Sequence, residues 1–275
     1  MTTGPNSQTQ PSKDGENVQA ETIANPPSAF VEGFARDGYQ VVRGLADPGH
    51  CRALCAEVDR SLDPPLGPLE YEAELGYPGA PRDLTAAGGL TPRRLLHAYS
   101  RGSSFRDWAR SPAVIGRIRS LMGGHAIALV QAHHNCIMTK YPQFGSETGW
   151  HQDIRYWHFQ RPDLINVWLA LGRECGENGG MRVVPGSHRP DYHRHQFDDA
   201  LFFRTDLDEN RPLLDQAIDM ELASGDVLFF HCRLLHAADR NESAGLKRSL
   251  VYTYNRMDNA PVNGSRSARL MQIPL

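Results

Sequence analysis

The spacing of apolar residues along this chain changes once, near Gly124. Ahead of that point the period is helical. Ser28-Ala-Phe30-Val31-Glu-Gly-Phe34 places apolar side chains at helical intervals, and Gly38 is a natural stop. Tyr39-Gln-Val41-Val42 reads as a short strand. Asp47 is placed to cap a helix that opens at Pro48 and runs through Leu54 and Val58 to about Leu62. A third helix is predicted over Ser104–Met122, interrupted near Pro112 and ended by Gly123-Gly124. Between Pro64 and Pro92 the chain is dense in Pro and Gly, which reads as a loop of a length that is often functional.

Beyond Gly124 the segments become short, apolar and separated by Gly, Pro and Asn. The predicted strands are Ala126–His133, Cys136–Tyr141, Ile165–Leu171, Met181–Val184, Asp219–Leu222, Val227–Phe230 and Arg248–Tyr254. Many short strands with turns between them point to an antiparallel sandwich or barrel. With helices ahead of them, the chain reads as α+β and mainly β, the helices bracing one side of the strands.

Composition narrows the picture. At 275 residues the chain can form one large core with decorations, or at most two small domains. A net charge of −3 gives no basic surface for nucleic acid. The longest apolar runs, such as Val227-Leu228-Phe229-Phe230, are far too short to cross a bilayer. Residues 1–27 are polar and Pro-containing, lack the apolar stretch of a secretory signal, and read as a disordered tail. Five scattered cysteines, never spaced as Cys-x-x-Cys, favour reduced thiols in a cytoplasmic enzyme. Nothing in the sequence signals an oligomeric state.

The candidate chemistry lies in the second half. In an extended strand, His151 and Asp153 point to one face about 6.5 Å apart, while Gln152 points away. Far downstream, Gly225-Asp226-Val-Leu-Phe-Phe-His231-Cys-Arg-Leu-Leu-His236 reads as a turn and an apolar strand that delivers His236 where the chain leaves the sheet. His231 lies five residues from His236, on the opposite face of a regular strand. Two histidines and one carboxylate on one side of a metal, the other positions open, suit non-haem Fe(II) that must admit O2 and an organic ligand. Arg248, on the next strand, can grip a carboxylate through two parallel charge-assisted hydrogen bonds. Gly176 to His188 lacks the spacing of a nucleotide loop and reads as a hairpin followed by a strand that ends in a Pro-Gly turn.

Trp150-His-Gln-Asp-Ile-Arg155-Tyr, Arg161 to Trp168, Asn178-Gly-Gly through Pro185-Gly-Ser-His188, and Gly225-Asp226 to His236 together resemble the phytanoyl-CoA dioxygenase family over roughly residues 126–255. The resemblance implies a double-stranded β-helix, or jelly-roll, core at 124–275. Residues 28–123 supply helical support and a long loop, all in one oxygenase domain over 28–275. It implies an Fe(II)- and 2-oxoglutarate-dependent dioxygenase with O2 as oxidant. His151, Asp153 and His236 would hold iron, Arg248 would hold the distal carboxylate of 2-oxoglutarate, and Trp168 would lie beside that cosubstrate. Cys136 stands where relatives often carry a methionine. In relatives the anchoring arginine lies eleven residues after the distal histidine, and that position is Lys247 here. Arg248 is therefore the anchor if the Asn241–Leu246 turn holds one extra residue, and Lys247 if it does not.

The implied reaction releases succinate and CO2 and, by default, hydroxylates an unactivated C–H of a small-molecule or acyl-type substrate. Pro64–Pro92 and His188–Asn210 are the expected cover over the site. Arg155, His158, Arg161, Arg189, Arg194 and Arg204 are interleaved with aspartates and read as a solvated surface. Two other readings use the same residues: a zinc hydrolase or isomerase on the three ligands, and a ligand-binding protein without catalysis.

Overall fold

The computed structural model describes Met1 and residues 26–275, so the expected tail lies almost wholly outside the described residues. Helix α1 (Ser28–Asp37) ends at Gly38, whose φ of 80° lets its N–H return to the Phe34 carbonyl. Strand β1 (Tyr39–Val42) follows. Asp47 then caps α2 (Pro48–Leu62), its Oδ1 accepting the N–H groups of Gly49 and His50. The Pro64–Pro92 loop is less irregular than its composition predicts. β2 (Leu69–Tyr71) lies within it and pairs with β3 (Pro92–Leu96) at its end. After the short α3 (Ala98–Arg101), the expected third helix is split into α4 (Ser103–Ala109) and α5 (Pro112–Leu121), with Pro112 opening the second piece.

The two strands predicted on either side of Asn135 are one, β4 (Ile127–Lys140). Opposite it runs β11 (Lys247–Arg256), with Tyr252 paired to Asn135 and Thr253 paired to Val130. Gln131 to His134 therefore bulge out of the ladder, and His133 adopts a φ of 76°. The remaining strands are β5 (Thr148–His151), β6 (Ile165–Ala170), β7 (Met181–Val183), β8 (Ile218–Asp219), β9 (Val227–His231), β10 (His236–Ala238) and β12 (Ile273–Pro274), with the single-turn α6 (Arg211–Leu214) before β8.

They form two antiparallel sheets. The larger runs β1-β9-β6-β11-β4-β3-β2, with β12 also on β4, and the smaller runs β5-β10-β7-β8. The sheets face each other, as the jelly-roll expectation requires, but they are open and not closed into a barrel. Between them lies an inner core in which Trp168, Leu228, Phe230 and Val251 of the large sheet meet Met181 and Val183 of the small one. On its other face the large sheet is covered by the helices. Phe34, Leu54, Val58, Phe105, Trp108 and Ile118 pack against Ile137, Val167, Leu169, Phe229, Leu250, Tyr252 and Tyr254. The two buried tyrosines donate their hydroxyls to the carbonyls of Phe105 and Ala109 at 3.1 and 2.9 Å. Even positions of β11 thus face the helices, and odd positions face the inner core.

Candidate metal centre

His151 and His236 are directly opposed across β5 and β10, with ring centroids 4.2 Å apart. Each donates its Nδ1–H to a main-chain carbonyl two residues earlier, Gly149 at 2.9 Å and Leu234 at 3.0 Å. That fixes the tautomer and aims both Nε2 lone pairs inward. They converge on Asp153 Oδ1, at 3.4 Å from His151 and 3.5 Å from His236. All three donor atoms lie within 4.8 Å of one another, and all three residues are buried.

Two local expectations are corrected. Asp153 is not on the strand with His151; it opens a 3-10 turn over Asp153–Tyr156 as the chain leaves β5. His236 does not end the strand that begins after Gly225. β9 stops at His231 in the large sheet, and His236 starts β10 in the small one. His231 packs near Phe34 and His188, away from the triad.

The carboxylate of Asp153 is held from behind. Asn166 Nδ2 donates to Oδ2 at 2.8 Å, and the Thr253 hydroxyl in turn donates to the Asn166 amide oxygen. His134, thrown inward by the β4 bulge, places Nδ1 3.4 Å from the same oxygen. Oδ1, by contrast, is buried without a hydrogen-bond partner among the described residues. An anionic oxygen left bare in the interior is costly, and a cation between it and two imidazole lone pairs removes that cost. Burial, reinforced by the neighbouring His236, pushes His151 down to about 4. Burial also opposes charge on His236, but Asp153 outweighs it and raises that imidazole. A divalent ion held by the three donor atoms would supply the positive charge that Asp153 draws toward His236. The donor set and the orphaned oxygen fit iron.

A cavity lined by this triad also reaches Trp168, Lys140 and Lys247. Lys247 is buried, with Nζ 3.2 Å from Glu174 Oε2 and 5.1 Å from the Trp168 ring centre. Trp168 Nε1 lies 3.1 Å from both Glu174 oxygens, and Ser249 donates to Oε1 at 2.6 Å. Lys140 faces Lys247 across the β4–β11 ladder. It donates only to the carbonyls of Ala238 and Asp239, with no carboxylate in reach among the described residues. Burial, then the charges of Lys247 and Arg93, lower its ammonium to about 7.

Arg248, one of the two candidates for the cosubstrate anchor, does not face this cavity. Its even position in β11 turns it to the helix side, where it pairs with Asp59 of α2. The reason is strand parity: Lys247 shares the inner face with Ser249 and Val251, and an adjacent residue cannot. Sequence reasoning singled out neither Lys140 nor Glu174, Arg93 or Arg94. Lys140 carried a usable signal, since it is four residues from Cys136 and so on the same face of one strand. Arg93 and Arg94 lie in β3, a strand that Pro92 concealed. Both expected cover segments reach the site: Tyr77 of the long loop contacts Phe202 at 5.4 Å between ring centres, and Phe202 lies 5.9 Å from His151.

Comparison with known proteins agrees with this geometry. The chain is 25% identical over 270 residues to an ectoine dioxygenase of Stutzerimonas stutzeri strain A1501, covering 88% of this chain and 82% of that one. Among solved structures it resembles SnoK, a non-haem α-ketoglutarate-dependent carbocyclase from nogalamycin biosynthesis. The TM-score is 0.69 at 22% identity, with 92% of this chain and 95% of that chain covered. It also resembles EctD from S. alaskensis, crystallised with 2-oxoglutarate and 5-hydroxyectoine, at a TM-score of 0.70 and 19% identity over 86% of this chain and 79% of that one. The sequence model described as phytanoyl-CoA dioxygenase matches residues 34–249, and the chain belongs to that family.

Proposed function

We propose that this protein is an Fe(II)- and 2-oxoglutarate-dependent dioxygenase that oxidises a small molecule, by default through hydroxylation of an unactivated C–H. The observation that carries the proposal is one cavity with two complementary ends: three converging ligand atoms at one, and a buried ammonium without a carboxylate at the other. His151, Asp153 and His236 hold iron. Lys247 and Lys140 receive the distal carboxylate of 2-oxoglutarate, and Trp168 walls the space between. Bound iron, with 2-oxoglutarate and O2, supplies the oxidising power and yields succinate and CO2.

The chain's own part is placement and exclusion. The two Nδ1–H bonds lock the imidazoles, and Asn166 keeps Asp153 turned so that Oδ1 faces the ion. Glu174 holds Lys247 in the wall, leaving Lys140 as the cation that gains most from an incoming carboxylate. Tyr77, Tyr156 and Phe202 shield the histidine end from bulk water; the two tyrosine hydroxyls lie 3.3 Å apart.

The ectoine dioxygenase relative and an L-proline trans-4-hydroxylase of Streptomyces griseoviridis, by their names, act on small polar molecules, which supports a substrate of that kind here. Five free cysteines and the lack of any membrane-length apolar helix among the described residues support action in the cytoplasm. Anaerobic calorimetry with Mn(II) tests the cosubstrate: 2-oxoglutarate binds one to one. Absence of binding overturns the proposal. A zinc hydrolase on the same ligands would have no use for the lysine end.

A further inference from the structure

We infer that the substrate carries a carboxylate, and that Arg94 is the residue that receives it. The inference rests on the oxygenase reading and adds the chemical class of its substrate. Arg94 is on β3 and lines the same cavity as the metal triad, yet it is only 4% exposed. It makes no hydrogen bond to any described residue. Among the described residues its one ionic neighbour is Glu70, whose Oε1 lies 3.3 Å from Nη1 without hydrogen-bond geometry, and its buried Nε has no partner.

Arg93 beside it shares the unpartnered Nε, but both of its terminal nitrogens are bonded to protein. Arg93 donates to Glu72 at 3.0 Å, to Ser146 at 2.6 Å and to Thr148 at 2.9 Å. A buried guanidinium whose Nε has no partner and whose terminal nitrogens make no hydrogen bond to a described residue has donors to spare, and Arg94 lines the cavity. A guanidinium fork matches a carboxylate with two parallel bonds, a fit that neither a hydroxyl nor an amide reproduces.

The position separates this group from the cosubstrate end. Arg94 pairs with Met138 of β4, and Met138 pairs with Ser249 of β11. Lys140 and Lys247 form the next inward rung of the β4–β11 ladder. Arg94 therefore stands two strands across and one inward rung along from Lys247, a separation of about 10 Å across the sheet alone.

The full-length protein, loaded anaerobically with Mn(II) and 2-oxoglutarate, is titrated in a calorimeter with matched acids and carboxamides: L-proline, L-pipecolate, L-leucine and L-phenylalanine, each against its amide. At least one acid is expected to bind tenfold or more tightly than its amide. Arg94→Gln is expected to abolish that preference while still giving a 2-oxoglutarate isotherm, which also reports that the variant is folded. Arg94→Lys keeps the charge without the fork and is expected to recover only part of the preference. If 2-oxoglutarate fails to bind the unaltered protein, the oxygenase reading falls. If it binds but no acid outcompetes its amide, or if Arg94→Gln weakens 2-oxoglutarate as much as Lys247→Met does, the carboxylate assignment falls alone.

Discussion

Lys247 Nζ lies 3.2 Å from Glu174 Oε2 on the inner face of β11, while its chain neighbour Arg248 reaches out to Asp59 on α2. The two cations are one peptide bond apart and serve opposite sides of the same sheet. Replacing Lys247 by Met is therefore expected to weaken 2-oxoglutarate binding about 10- to 100-fold, the value of one charged hydrogen bond. Glu174→Gln belongs in the same variant, because a buried carboxylate stripped of its partner would destabilise the protein on its own account. Arg248→Ala removes a half-exposed ion pair and is expected to change the affinity less than about twofold. Calorimetry on the three proteins decides which residue is the anchor.

Lys140 gives the site a pH dependence with a definite sign. Its folded-state value is lowered to about 7, so the ammonium is charged below neutrality and progressively lost above it. A bound carboxylate favours the charged form, so binding takes up a proton at alkaline pH. The dissociation constant for 2-oxoglutarate is expected to rise by up to about tenfold per pH unit above 7 and to level off below 6. Lys140→Met is expected to bind more weakly and to flatten the profile. A flat profile in the unaltered protein would remove Lys140 from the anchor.

Strand parity predicts that His231 and His236 turn to opposite faces of one strand. Only His236 joins Asp153, but because β9 ends at His231 and His236 opens β10 in the other sheet. The same logic failed at β11. Leu250, Tyr252 and Tyr254 alternate there with Ser249, Thr253 and Asn255, but the strand is buried on both faces, so the alternation does not mark which face lines the cavity. Counting from His236 left Lys247 and Arg248 open, and the guanidinium's chemistry favoured Arg248, the one that the structure turns toward Asp59. The helices were legible through their caps, Asp47 and Gly38 above all, since a cap is a local device. The β4 bulge was not, because the pairing that defines it comes from residues more than a hundred positions away.

Asn166 touches neither cavity ligand nor solvent, yet it fixes the orientation of Asp153 through the 2.8 Å bond to Oδ2. Asn166→Ala is expected to lower Mn(II) affinity about 10- to 100-fold, the usual cost of losing the group behind a metal ligand. Circular dichroism controls for the fold. Unchanged affinity would mean that the turn at Asp153–Tyr156 holds the carboxylate without help.

The two candidate histidines are separated by thermal unfolding. Mn(II) at about 100 times its dissociation constant is expected to stabilise the unaltered protein by about 2.7 kcal/mol, and a chelator should reverse the gain. His236→Ala should abolish the effect. His231→Ala should retain it, since that ring packs against Phe34 and His188.

Because the opposed imidazoles of β5 and β10 belong to neighbouring strands, an ion between them would act as a rivet through the smaller sheet. That sheet is otherwise held by short ladders, two register points between β5 and β10 and three between β10 and β7. Amide hydrogen exchange in β5 and β10 is expected to slow on loading while the helix-backed β6 and β9 scarcely respond. One wall of the cavity would then be stiff only when armed, and an empty protein could open there to take up its cosubstrate.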